Sequence, residues 1–332
     1  MNRILAVALI VAAIPAFAKD KKKDPSQIGD RNVAQGINIY SLDKELALGK
    51  QLAIEVAREA RMVDDPIITE YVNRLGQNLV RNSDVTFPVT FQLIEGDEIN
   101  AFTLPGGFIF INTGLLKLSD NEAELASAMA HEIGHAAARH ATRQATRNEL
   151  IQMGSIPLAV VGGWGGVLAR QAANIGVPMA FFKFSRAFEA EADLLGVEYL
   201  WKSGYDPNAS IDLFERVEAT ERQKPGSVSK LFRTHPLTED RITKTQENIA
   251  KLLPGRNEYV INTSEYEDIR ARLVALSERT KQDQNDPNRP RLRKSPSGTV
   301  SSDSDTQKTA DDDRPTLKRN YALDENLFHD IP

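Results

Sequence analysis

The stretch His131-Glu132-Ile133-Gly134-His135 decides how the rest of the chain is read. On an α-helix, residues four apart lie one above the other on a single face. Both imidazoles therefore reach one metal ion, and Glu132, offset from that face, reaches water beside the metal rather than the metal itself. Two histidine ligands and a glutamate base on one helix is the arrangement used for metal-assisted peptide hydrolysis. The competing reading is an accidental histidine pair on a solvated helix. Against it stand the 5 histidines of the whole chain, too few for the pattern to recur by chance. The flanks argue the same way: Ala123, Leu125, Ala126, Ala128, Met129 and Ala130 precede the pair, and Ala136, Ala137 and Ala138 follow it. A helix this apolar is buried, and buried His and Glu need partners, which a metal supplies.

A catalytic zinc takes three protein ligands and leaves one position open. No third histidine stands at the spacing that would add one from the same segment. His140 is expected to face away from the pair on a continuous helix. A carboxylate from a second helix is the other source, and Phe188-Glu189-Ala190-Glu191-Ala192-Asp193 is the best candidate. Glu189 and Asp193 share a helix face. Glu189 then binds the metal, and Asp193 accepts a hydrogen bond from the outer nitrogen of a ligand histidine. Spacing alone leaves a second reading equally open, in which Glu189, Glu191 and Asp193 form a solvated acidic face.

Outward from these segments the pattern alternates between two periods. A helix is expected over about residues 43–62, with Leu46, Gly49, Leu52, Ala53 and Val56 inward. Asp65-Pro66 reads as cap and first residue of a second, whose stripe is Ile67, Ile68, Tyr71, Val72, Leu75 and Leu79. Residues 89–94, 101–104 and 108–112 read as strands of a small antiparallel sheet, with Pro105-Gly106-Gly107 as a turn. Ser119-x-x-Glu122 reads as a capping box opening a helix that runs to about Asn148. Further helices are expected over about residues 183–203, 206–221, 236–253 and 264–281, the first stopped by Gly204.

The ends and composition set the compartment. Arg3, the apolar run Ile4 to Ile14 and Ala16-Phe17-Ala18 read as a secretory signal peptide, residues 1–18. The apolar run is too short to span a bilayer, which needs about 20 residues. With 0 cysteines, a thiol catalyst, a Cys-ligated zinc and a disulfide framework are excluded. The net charge of −5 gives no global pull toward nucleic acid. Residues 19–40 read as irregular, 41–281 as the catalytic domain, and 282–332 as a disordered polar tail with too few core formers to fold. Residues 155–182 combine Gly and apolar side chains with Arg170, Gln171 and Asn174, which disfavour a membrane span. They read as a mobile apolar flap or helical hairpin near the site that touches a membrane surface or covers the cleft, or as a buried loop with Gly at tight turns.

Taken together the motifs resemble the gluzincin metallopeptidases of the group that holds the CAAX prenyl endopeptidases, the HtpX heat-shock proteases and the BepA-type periplasmic protease-chaperones. Asn100-Ala101-Phe102-x-x-Pro105-Gly106-Gly107, Gly114-Leu115-Leu116 and Thr234-His235-Pro236-Leu237 carry the resemblance beside the two helical motifs, over about residues 40–250. It implies an α+β, mostly helical zincin-type domain with one Zn2+ held by His131, His135 and Glu189, and Asp193 behind them. It implies that the strand around Phe108 to Asn112, or the one entering the Pro105-Gly106-Gly107 turn, is the edge that pairs with substrate backbone, with Asn100, Phe102, Pro105, Gly106, Gly107 and Phe108 as its residues. It further implies that His235 either fills the open metal position or stabilises the oxyanion, with Arg241 anchoring the same loop. Two departures stand out: where BepA-type proteins carry C-terminal helical repeats a polar tail is expected here, and residues 155–182 are the only candidate for the membrane helices of HtpX-type proteins. The expected function is a secreted zinc endopeptidase that clears misfolded envelope proteins in the periplasm. The alternative is a latent protease serving outer-membrane assembly as a chaperone. A structural zinc protein and a peptidoglycan hydrolase are disfavoured, for want of Cys ligands and of wall-binding repeats.

Overall fold

The computed structural model describes residues 24–155, 184–223, 225, 235 and 239–285. The expected signal peptide, the segment 155–182 beyond its first residue, and the tail past residue 285 lie outside them. The chain divides into two units, residues 1–276 and 277–332. Of the second, only the last turns of one helix are described; the site and its supports belong to the first.

Helices α1 (Leu42–Glu59) and α2 (Pro66–Arg81) precede the sheet. Asp65 caps α2 as expected, its carboxylate accepting from the Ile67 and Ile68 N–H groups, with Pro66 at the first helical position. The buried face of α1 carries Gly49, Leu52, Ala53 and Val56, and also Glu45, an ionisable group whose partners are described below. Residues 24–40 hold one short 3-10 turn, yet they pack: Arg31 lies buried between Asp84 and Glu198, with Nη2 2.7 Å from a carboxylate oxygen of each.

Strands β1 (Thr90–Ile94), β2 (Ala101–Leu104) and β3 (Phe108–Asn112) form the sheet. It is mixed rather than antiparallel: the order is β1-β3-β2, with β1 parallel and β2 antiparallel to β3. The β1–β2 connection accommodates this order. Thr113 Oγ1 donates to Gly96 O at 2.8 Å and accepts from Gly96 N–H at 3.0 Å, drawing the loop under the end of β3 and across to its far side. The unbroken apolar run in β3 fits this central place, since Ile109, Phe110 and Ile111 are all fully buried. The outer edge of β1 is taken, Val63 N–H donating to Leu93 O and Glu95 N–H to Arg61 O. Among the described residues β2 is the edge left open.

Then follow α3 (Thr113–Leu118), α4 (Glu122–Ala137) and α5 (His140–Ser155). Two expectations are corrected here. The cap of α4 is Asn121, accepting from Glu124 N–H, while Ser119 closes α3 and Glu122 is held by Tyr205 and Thr263. The helix also does not run on to Asn148. It breaks at Ala138 and Arg139, where Arg139 has φ 54°, a left-handed value that a non-glycine residue adopts only when its surroundings hold it there. Arg139 Nε donates to Glu45 Oε2 at 2.6 Å and Nη2 to Tyr40 O at 2.9 Å.

Helices α6 (Arg186–Lys202), α7 (Ala209–Gln223), α8 (Glu239–Leu252) and α9 (Ser264–Asn285) complete the described fold. Gly204, φ 93°, ends α6 as expected. Helix α4 lies between α2, β2, α6 and α7, and carries Leu125, Ala126, Met129, Ala130 and Ile133 into the core. No described helix is long and apolar enough to cross a membrane.

Helix α1 rests directly on the Pro105–Gly107 turn. A Cβ on Gly49 would stand 1.8 Å from Pro105 O, so a side chain there forces α1 off the turn. Gly49→Ala is expected to lower unfolding free energy by about 1–3 kcal/mol in urea, overriding the roughly 1 kcal/mol by which Ala is the better helix former. A gain in stability would show that the contact yields without cost.

Candidate metal centre

Helix α4 presents His131 and His135 on one face, and α6 crosses it closely enough for Glu189 to stand between them. The Nε2 atoms of the two histidines are 3.1 Å apart. Glu189 Oε2 is 3.6 Å from His131 Nε2, and Oε1 is 3.5 Å from His135 Nε2. His235 joins them, its Nδ1 3.1 Å from Glu189 Oε1 and 3.3 Å from His131 Nε2. One donor atom from each of the four residues lies within 4.8 Å of all the others. Three are buried and His131 is nearly so.

The donor chemistry suits a divalent cation. Two imidazole nitrogens point at each other at hydrogen-bond distance around a buried carboxylate, an arrangement that one cation satisfies at once. Burial disfavours the charged form of Glu189, but His235, His131 and His135 outweigh it and hold its carboxyl well below the usual range. Burial holds His135 well below the ordinary histidine value, which favours the neutral ring that a metal ligand must be. At His131, burial is opposed by Asp193 and Glu189, which raise its pKa to about 10.

Three further groups hold these residues. Asp193 Oδ1 is 3.0 Å from His131 Nδ1, the outer nitrogen. Arg241 from α8 grips Asp193 with Nε and Nη2 at 2.8 and 2.7 Å, and its Nη1 is 3.1 Å from Glu189 Oε2. Burial pushes the Asp193 carboxyl up, yet Arg241 and His131 bring it below its ordinary value. Glu132 is buried on α4 beside the cluster; its Oε2 accepts from Thr103 Oγ1 at 2.7 Å, and its Oε1 is 3.3 Å from His235 Nε2.

The structure thus brings His131, Glu132, His135, Glu189, Asp193, His235 and Arg241 into one cluster. It separates the residues assigned to a substrate edge. Asn100 leads into β2 and bonds inward, its O accepting from Asn112 N–H, and Phe102 stacks on Phe110. Pro105, Gly106 and Gly107 are covered by α1, Gly106 N–H donating to Glu45 Oε1. Phe108 begins β3, which is paired on both sides, so neither it nor the rest of that strand is an edge. Within β2, the Asn100–Asn112 bond sets the alternation that turns the main-chain groups of Ala101 and Thr103 outward.

Sequence reasoning missed Thr103, His140 and Glu191. A lone threonine in a strand gives no signal before the strand is placed. His140 does not face away: its Nδ1 is 2.9 Å from His135 Nδ1, because the chain turns at Arg139 before α5 begins. Glu191 is 3.0 Å from His140 Nε2, and with Glu189 and Asp193 buried the acidic triplet of α6 is no solvated face.

A buried two-histidine helix with a carboxylate from a neighbouring helix beside it forms a candidate metal-binding group of the zincin kind. The family model for peptidase family M48 matches residues 66–249, and the chain belongs to that family. The resemblance read from the motifs therefore holds. A putative beta-barrel assembly-enhancing protease of Vibrio cholerae is 32% identical over 280 residues, 82% of this chain and 56% of the relative. The beta-barrel assembly-enhancing protease of Escherichia coli (strain K12) is 32% identical over 264 residues, 75% of this chain and 53% of its own. The metalloprotease LoiP of the same organism is 28% identical over 65% of this chain and 86% of its own. The chain spans about half the length of the beta-barrel assembly-enhancing proteases it matches.

Arg241 compensates two buried carboxylates. Its replacement by methionine is expected to cost about 3–5 kcal/mol in chemical denaturation, the cost of stranding buried charge. A loss below about 1 kcal/mol would mean that the imidazoles alone neutralise Asp193 and Glu189.

Proposed function

We propose that this chain is a zinc metalloendopeptidase, with His131 Nε2, His135 Nε2 and Glu189 as metal ligands and Glu132 as general base. The observation that carries the reading is the convergence of those donor atoms within 4.8 Å, with the Glu132 carboxylate beside them. Zinc, when bound, supplies Lewis acidity that brings the pKa of water to about 7 and polarises a carbonyl. The protein supplies the rest. Thr103 Oγ1 holds Glu132 Oε2, and Oε1, which faces His235 Nε2 at 3.3 Å, takes a proton from the attacking water and returns it to the leaving amine. The outward main-chain groups of Ala101 and Thr103 offer an edge on which an extended polypeptide adds as a strand, giving affinity with little sequence preference. Asp193 and Arg241 keep His131 and Glu189 in place while the proton moves.

The name beta-barrel assembly-enhancing protease, carried by relatives of this chain, supports an envelope role. To that reading we add, from the sequence alone, export through residues 1–18, a domain over 41–281 with a polar tail at 282–332, and action in the periplasm on misfolded polypeptides. A second reading, a latent enzyme serving outer-membrane assembly, is favoured by one contact. His235 Nδ1 stands among the donor atoms, where it competes for the open position.

The test is casein cleavage by the chain from residue 19 onward beside Glu132→Gln, with bound zinc quantified in both. Zinc in both, with cleavage at least about 100-fold slower in the variant, is the expected result. Zinc in both and cleavage in neither favours the latent reading, which His235→Ala should relieve. Absence of zinc from both after supplementation would sink the assignment.

A further inference from the structure

We infer that His140 is a positioning residue for the metal centre: it accepts a hydrogen bond from His135 Nδ1 and passes the orientation on to Glu191 and Arg143. The inference rests on the proposed role of His135 as ligand and concerns what fixes that ligand's tautomer.

The proton arrangement follows from the geometry. If His135 Nε2 carries the lone pair for the metal, its proton is on Nδ1. The atom facing Nδ1, at 2.9 Å, is His140 Nδ1, which must then be the acceptor. A neutral imidazole has one acceptor and one donor, so the His140 proton sits on Nε2. That nitrogen is 3.0 Å from Glu191 Oε2, an acceptor of the required kind. Arg143 Nη1 donates to the same oxygen at 3.2 Å and to Ala138 O at 3.1 Å. Every proton in the chain from His135 to Arg143 has a place, and no two donors meet. Rings lock the path from the side: Phe184 stacks on His135 at 4.1 Å between centroids, and Phe188 on His140 at 4.4 Å.

The two ligand histidines are thus held differently. His131 has a carboxylate behind it, clamped by Arg241. His135 has a neutral imidazole, clamped by Glu191 and Arg143. The second path exists only because the chain turns at Arg139, which Glu45 and Tyr40 O secure. On an unbroken helix His140 would lie about 140° around the axis from His135.

Zinc affinity of the full chain, measured by competition with a chromophoric chelator, separates this role from simple packing. His140→Asn retains an acceptor near the Nδ1 position but loses the ring. His140→Phe retains the ring on Phe188 but has no acceptor. The expected result is an affinity loss of about 10–100-fold in His140→Phe and a much smaller loss in His140→Asn. The reverse order, or equal affinity in all three proteins, would overturn the inference. Glu191→Leu, at a half-buried position, leaves both rings in place and should weaken zinc binding in the same direction. If His140→Phe does not fold, unchanged affinity in Glu191→Leu overturns the inference by itself. Failure of the parent to bind zinc would overturn the ligand assignment instead, and the positioning role with it.

Discussion

The centre depends on how closely α4 and α6 approach. The two helices meet through glycines. A Cβ on Gly134 would lie 3.0 Å from Ala192 O, and one on Gly196 would lie 3.1 Å from His131 N. Few side chains fit at such distances, and each would push the helices apart by a fraction of an ångström or more. Glu189 is carried by one helix and the histidines by the other, so this spacing sets whether three donors meet at one point. Displacements near 1 Å at such a centre cost about 100-fold in rate. Dense packing of Leu125, Ala126, Met129, Ala130 and Ile133 around the contact makes the approach rigid.

A second constraint lies at the other end of α4. Glu45, buried on α1, receives Arg139 Nε, Thr142 Oγ1 and Gly106 N–H. One carboxylate therefore ties together the first helix, the break between α4 and α5, and the turn that leads β2 into β3. The break sets His140, at the start of α5, beside His135 of α4, and the turn lies next to the strand from which Thr103 reaches Glu132. Residues far apart in sequence, on both sides of the two-histidine motif, are held in one geometry by a single buried acid and its partners. This explains why a glutamate occupies the inward stripe of α1, where an apolar residue is expected.

Much of this was legible in the residues. The spacing of His131 and His135 places them on one face without knowledge of the tertiary fold, and the same holds for Glu189 and Asp193. Asp65-Pro66 and Gly204 mark helix ends through local chemistry alone. What was not legible depends on tertiary contacts. Arg139 has no intrinsic preference for a positive φ, so the turn that redirects His140 leaves no local mark. Ser119 and Asn121 are both competent caps, and the choice between them rests on Glu122 being drawn to Tyr205 and Thr263. The antiparallel sheet was the natural reading of three short strands in succession. The parallel pairing of β1 with β3 goes with a β1–β2 loop that Thr113 holds at Gly96, a tertiary contact that strand periodicity cannot report. Thr103 acquired meaning only once β2 was set beside α4.

The most direct test of the account is the zinc K-edge X-ray absorption spectrum of the zinc-loaded full chain. It predicts a shell of nitrogen and oxygen at about 2.0–2.1 Å, with the outer-shell scattering of two or three imidazoles and a geometry near tetrahedral. A six-coordinate oxygen shell without imidazole scattering would contradict it, because the metal would then lie outside the cluster that α4 and α6 build.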